Sequence, residues 1–203
     1  MDLQPLIHSV ESTLHGNRLR HTFSVETCCV RLAAIYGFSE KQTQKLRIAA
    51  LLHDITKELD FPAQMALCKQ YGLSPTKEEC AAPKTLHAIT GAALARDRYA
   101  AYTDEEICEA IRVHTVGKAG MSCFDKLLYL ADFIEDTRTY EDCVRLREFF
   151  YHGISQGIDP FLHLDRTMIY SFDLTIALLL KESAVIAPQS CAARNDLLIQ
   201  IAH

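Results

Sequence analysis

Residues 45–57 read KLRIAALLHDITK, and the kind of fold this chain builds can be read from them. Leu46, Ile48, Ala49, Ala50, Leu51 and Leu52 leave almost no polar face over two helical turns, so a helix here is a buried one. Alanine and leucine favour the helix, and no period-two alternation competes with it. Ser39 and Gln42 stand ahead of it in capping-box spacing, which sets the helix start near residue 40. At the far end an imidazole and a carboxylate, His53 and Asp54, follow AALL directly. Buried charge is expensive unless it is paired or bound to a metal, so this pair is the first candidate for chemistry.

Outward from this stretch the helical period persists. A first helix is expected from Gln4 to Leu14, stopped by Gly16. Asn17 caps a longer one reaching Tyr36, with Gly37 just past its end. Pro62 suits the first turn of a helix that stops at Gly72. A polar loop from Ser74 to Pro83 leads to a helix over Thr85–Tyr99. Thr103 and Glu106 form a second capping box, opening a helix towards His114. After the loop VGKAGM, Ser122 caps SCFDKLLYLADFIE. Helices near Tyr140–Tyr151 and Asp159–Lys181 follow, and Asn195–Ala202 closes the chain as a short helix or tail. The expectation is an all-α helical bundle in one domain spanning residues 1–203.

Composition narrows the function classes. With 203 residues, 49% hydrophobic and 23% charged, the chain has an ordinary globular composition. Its net charge of -5 does not favour a phosphate backbone, so no nucleic-acid partner is expected. The longest apolar run, Leu174–Leu180, falls far short of the roughly 20 residues of a membrane span. The N-terminus, MDLQPLIHSVE, lacks the basic and apolar regions of a signal peptide. The eight cysteines form no CxxC pair, which reads as reduced core thiols in a cytoplasmic protein. Exposed apolar positions in the C-terminal helices would permit a homodimer.

GKAG at Gly117–Gly120 is not a phosphate-binding loop, because Ala119 follows the lysine, and no GxGxxG, HExxH or GxSxG occurs. What remains is His21, His53-Asp54, His87, His114 and Asp132, on different expected helices. Asp132 repeats the oddity of Asp54, an acid among apolar neighbours, though a salt bridge to Arg112 or Arg138 would also account for it. Asp125, Tyr129 and Asp132 share a face at i, i+4 and i+7. Facing helices of a bundle build metal sites in this way, and imidazoles with carboxylates suit Fe, Mn, Co or Zn. His8, His15, His152, His163 and His203 read as surface or core histidines.

The order H…HD…H…H…D resembles the HD-domain metal-dependent phosphohydrolase superfamily. His21, His53-Asp54 and Asp132 match its signature, and His87 and His114 match the subset that binds two metals. RHTFSVE, ALLHDITK, HAITGA and IRVHTVGKAGMSCFDKLLYLADFIEDTR are similar to the YqeK family of symmetrical diadenosine tetraphosphate hydrolases. The likeness spans about Asn17–Arg138, with Asp136 where the family commonly has proline. Beyond residue 140 it is one of helical character only.

The resemblance implies an HD fold with two metal ions, iron first and manganese or cobalt as alternatives. His21, His53, Asp54 and Asp132 would hold one ion, and Asp54 would bridge to a second completed by His87 and His114. Two cations lower the pKa of a water and neutralise phosphate oxygens, and the resulting hydroxide would attack phosphorus in line. Lys57, in HDxxK, could reach a phosphate or the nucleophile, although a solvated lysine at a helix end would look the same. Arg20, Lys118 and Arg138 are candidates for polyphosphate contacts, and Asp125 for orienting a ligand histidine. Rival readings are another nucleotide substrate, such as a deoxynucleoside triphosphate or cyclic dinucleotide, and a non-catalytic metal- or nucleotide-binding module.

Overall fold

The computed structural model describes residues 2–202. Among them the regular structure is helical, without strands: α1 (Gln4–Thr13), α2 (Gly16–Ile35), α3 (Glu40–Leu52), α4 (Phe61–Gln70), α5 (Lys77–Ala81), α6 (Leu86–Arg98), α7 (Glu105–Val113), α8 (Cys123–Ile134), α9 (Glu141–Ser155), α10 (Pro160–Lys181) and α11 (Pro188–Ile201). A 3-10 turn over Pro83–Thr85 leads into α6.

The apolar run of α3 sits where its composition demands. Leu46, Ala49, Ala50, Leu51 and Leu52 are fully buried, and each leucine contributes about 2 kcal/mol of transfer free energy. Around α3 pack α2 and α7, while α8 lies against α2 and α7. α10 rests on α9 and carries α11. The Ser39–Gln42 capping box forms, and Ser122 caps α8 as expected. α3 and α7 end at His53 and His114, each the C-cap residue of its helix. The two helix ends thereby deliver imidazoles to one place.

Several local expectations are corrected. α2 starts at Gly16 with His15 in the cap position, so Asn17 is not its cap. Asp104 rather than Thr103 caps α7, accepting from the Ile107 N–H at 3.1 Å. Thr103 Oγ1 instead donates to the Ala95 and Tyr99 carbonyls. Within the stretch read as loop, Thr76 and Glu79 form a capping box that opens α5, too short for periodicity to reveal. α11 begins at Pro188, not near Asn195.

All eight cysteines are unpaired, five of them buried. His163 is a core histidine, with Nε2 3.0 Å from the Phe150 carbonyl, while His8, His15 and His152 are exposed. His203 lies outside the described residues. Among the described residues no helix is long and apolar enough to cross a membrane. Leu178, Leu180 and Ile199, on α10 and α11, stay exposed.

The loop after His114 turns on a glycine where any side chain would be strained. Gly117 has φ +71°, and a Cβ there would lie 2.6 Å from the Phe172 ring of α10. Its freedom at positive φ lets α10 press against the loop that follows His114.

Candidate metal centre

Five helices bring six side chains together. His21 comes from the second turn of α2, His53 and Asp54 from the end of α3 and the turn beyond it, and His87 from the first turn of α6. His114 closes α7 and Asp132 stands in the last turn of α8. Their donor atoms form three overlapping groups: His21, His53 and Asp54; His53, His114 and Asp132; Asp54, His87 and His114. Within each group the atoms lie within 4.8 Å of one another. All are buried except Asp132, whose side chain is 20% exposed.

Local hydrogen bonds set how the rings are presented. His53, His87 and His114 each place Nδ1 2.6 to 2.7 Å from a backbone carbonyl three residues earlier, at Ala50, Lys84 and Ile111. A carbonyl can only accept, so Nδ1 holds the proton and Nε2 turns a lone pair into the cluster. His21 uses Glu135 instead, Nδ1 to Oε1 at 3.0 Å. Fixing the tautomer through the outer nitrogen is how metal-bound histidines are held. Burial, the largest influence on both, lowers His53 and His87 to about 4, so these rings are neutral near pH 7. At His21 burial again opposes charge, but the carboxylates of Asp132 and Glu135 outweigh it and raise the ring to about 9.

Asp54 is shared evenly. Its Oδ2 lies 3.8 Å from His21 Nε2 and 3.5 Å from His53 Nε2. Its Oδ1 lies 3.2 Å from His87 Nε2 and 3.7 Å from His114 Nε2. Burial works against its ionisation, yet His53, His114, His87 and Lys57 hold it well below the usual carboxylate range. His53 Nε2 and Asp54 Oδ1 are buried without a hydrogen-bond partner, while His21 Nε2 lies 2.9 Å from Asp132 Oδ1. The neutral His53 and His87 rings turn lone pairs towards the Asp54 carboxylate, an arrangement that cations satisfy. The donor set therefore fits metal ions, with nitrogen and oxygen ligands and no thiolate.

A basic rim surrounds this cluster. Arg138 donates to Asp132 Oδ1 at 2.8 Å, and Lys57 Nζ stands 3.1 and 3.3 Å from the His87 ring nitrogens and 3.9 Å from Asp54 Oδ1. Arg20 is exposed and lines a cavity of about 520 Å³ that opens beside His21, together with Arg18, Arg138 and Tyr140. A smaller cavity, about 220 Å³, opens beside His87 and is lined by Lys57, Phe61 and Lys84.

Two expectations are not met. Lys118 is committed to Glu109 at 2.7 Å and lines neither cavity. Asp125 closes the capping box of α8, accepting from the Ser122 N–H at 2.9 Å, so it is not spent on a ligand histidine. Tyr129, on the same face, packs against Phe172 with ring centroids 5.0 Å apart. Conversely, Arg18 and Glu135 escaped the sequence reading. Arg18 donates to Asp54 Oδ2, and Glu135 is fully buried against His21 and Thr137. Each lies three residues from a candidate ligand, on its helical face or just past the helix end, and that spacing was the available signal. Thr115 Oγ1, 3.2 Å from both His87 Nε2 and His114 Nε2, was missed as well.

The HD domain family model matches residues 18–137, and the chain belongs to that family: it is a metal-binding HD-type phosphohydrolase. Within this class, a relative that is 31% identical over 94% of both chains is a symmetrical bis(5'-nucleosyl)-tetraphosphatase of Halalkalibacterium halodurans. The enzyme of the same name from Bacillus subtilis is 28% identical over 97% of this chain and 98% of its own. A crystal structure of a predicted HD superfamily hydrolase involved in NAD metabolism, from Clostridium acetobutylicum, superposes with a TM-score of 0.85. That protein is 28% identical, and the match covers 98% of each chain.

Proposed function

We propose that this chain hydrolyses diadenosine tetraphosphate symmetrically, giving two ADP. The observation that carries the reading is the division of Asp54, with one oxygen towards His21 and His53 and the other towards His87 and His114. That two relatives are symmetrical bis(5'-nucleosyl)-tetraphosphatases supports a dinucleoside tetraphosphate as the substrate. In this reading His21, His53, Asp54 and Asp132 hold one transition-metal ion, and Asp54, His87 and His114 hold the other. Iron is the first choice, and manganese and cobalt accept the same ligands. When bound, such a pair lowers the pKa of water and neutralises charge on a phosphoryl group.

The chain's own side chains do the remaining work. Glu135 and three backbone carbonyls hold the imidazoles in one tautomer and orientation. Arg18 and Arg138 present guanidinium forks, which suit phosphate oxygens, with Arg20 further out. Lys57, its pKa lowered chiefly by burial, sits at the His87 end, where it can neutralise a phosphate oxygen or share a proton with it. A cavity at each end of the cluster supports seating an inner phosphorus there, with a nucleotide half extending to either side.

One hydrophobic cluster runs from Leu3 to Leu197, which supports a single working domain. Eight unpaired cysteines support a reducing, cytoplasmic setting. The test is chromatography of the reaction in oxygen-labelled water with metal-loaded protein. ADP is expected as the sole nucleotide product, with label on one of the two β-phosphates. ATP plus AMP would refute the symmetrical cleavage while keeping the phosphohydrolase. No turnover with iron, manganese or cobalt would move the assignment to another nucleotide or to a binding module.

A further inference from the structure

A cleft of about 580 Å³ lies beside the His87–His114 end of the cluster, within the range of small-molecule sites. Residues beyond the HD match build much of its wall, where Leu179 and Val185 of the α10–α11 segment face Val116. Two contacts tie the cleft to the cluster. Thr115 lines it, with Oγ1 3.2 Å from the Nε2 atoms of His87 and His114. Lys84 lines both this cleft and the cavity around Lys57 and His87. An apolar recess thus continues from a cationic phosphate path.

Ser183 adds an independent observation. Among the described residues six positions with positive φ hold glycine, and the seventh is Ser183, at φ 52°. It ends α10, where its own N–H donates to Leu180 and that of Ala184 to Leu179. Glycine would be the unstrained choice at such a turn. The residue that keeps a side chain there is one that lines the cleft.

We propose that this cleft receives one nucleoside of the substrate, its base against Val116, Leu179 and Val185 and its ribose within reach of the Ser183 hydroxyl. The proposal rests on the dinucleoside polyphosphate reading and gives the C-terminal helices a role in it, as the wall that recognises a nucleoside rather than a bare polyphosphate.

The experiment is equilibrium titration of the full chain with ADP and, separately, with inorganic pyrophosphate, which lacks a base. The wild-type protein is expected to bind ADP more tightly than pyrophosphate. Leu179→Trp fills the cleft, and excluding about 60 Å² of base surface lowers ADP affinity about tenfold. Pyrophosphate affinity should not change. Ser183→Gly relieves the backbone, so it folds at least as well, and it should weaken ADP binding alone. It keeps the test open if the tryptophan variant misfolds. Equal wild-type affinities for the two ligands, unchanged ADP binding in the variants, or parallel losses for both ligands would each overturn the proposal. Base-dependent binding lost in the variants, without turnover of diadenosine tetraphosphate, would overturn the substrate reading and leave the cleft standing. Turnover to ADP with an unchanged KM in both variants would do the reverse.

Discussion

Removing the carboxylate that both halves of the cluster share is the most informative perturbation. In Asp54→Ala the first half keeps His21, His53 and Asp132, whereas the second keeps only His87 and His114. Two unit charges about 4 Å apart, in an effective dielectric of about 20, interact by about 4 kcal/mol, which is a lower bound for a carboxylate and a divalent ion. Losing it weakens the binding of each ion by at least about a thousandfold. On the proposed two-ion reading, the first half should fall to weak binding and the second should empty, so metal per chain drops from two to at most one. His114→Ala should retain more metal than Asp54→Ala, because it strips a ligand from the second half alone. Elemental analysis of both variants after identical loading and desalting measures this. The melting temperature gives a second readout. Ligand at a hundred times its Kd stabilises a protein by about 2.7 kcal/mol, so the fall in melting temperature on adding chelator should vanish in Asp54→Ala. Asp54→Asn keeps the shape and loses the charge, and it should behave like the alanine variant. Metal content in Asp54→Ala equal to wild type would refute the shared-carboxylate reasoning, and wild-type content in Asp54→Asn would refute the electrostatic part.

Glu135→Gln should weaken metal binding in the His21 half by about 10- to 100-fold without touching a ligand, since the buried carboxylate holds His21 Nδ1 at 3.0 Å. Metal titration that cannot tell this variant from wild type would remove Glu135 from the site. Gly153→Ala places a methyl 2.2 Å from the His163 ring, which is itself held by the Phe150 carbonyl, and should cost about 1–3 kcal/mol in urea unfolding. An unshifted midpoint would show that α9 and α10 separate easily there. Hydrogen bonds from Arg112, the larger influence, and Lys118 hold the Glu109 carboxyl at about 2, against the upward pull of partial burial. The folded pKa lies below the ordinary value of 4.5, so this stabilisation is fully present above about 4.5 and is lost as pH falls towards 2. The stability gap between wild type and Glu109→Gln should therefore narrow from pH 6 to pH 3, and a constant gap would deny the linkage.

The helical class and the buried α3 were legible in the chain before any coordinates, and the six candidate ligands through the order H…HD…H…H…D and the family it resembles. The fold elements rest on local signals, a capping box or an apolar run without a polar face, as does the oddity of Asp54 and Asp132 among apolar neighbours. The capping boxes at Ser39 and Ser122 formed because Ncap and N3 lie within one turn and need nothing from the rest of the molecule. The cap fell to Asp104, one residue later, while the Thr103 hydroxyl turned back to donate to the Ala95 and Tyr99 carbonyls at the end of α6. Lys118 and Asp125 are held by other partners too, one by a neighbouring helix and one by its own helix end. Nothing in the sequence paired Lys118 with Glu109, whereas Asp125 was claimed locally, as the N3 residue of the Ser122 box. What only the tertiary structure decided is which atom faces which. The even split of the Asp54 oxygens, the glutamate behind His21 and the cleft walled by α10 and α11 join residues dozens of positions apart. No spacing along the chain encodes those distances, because packing between helices sets them.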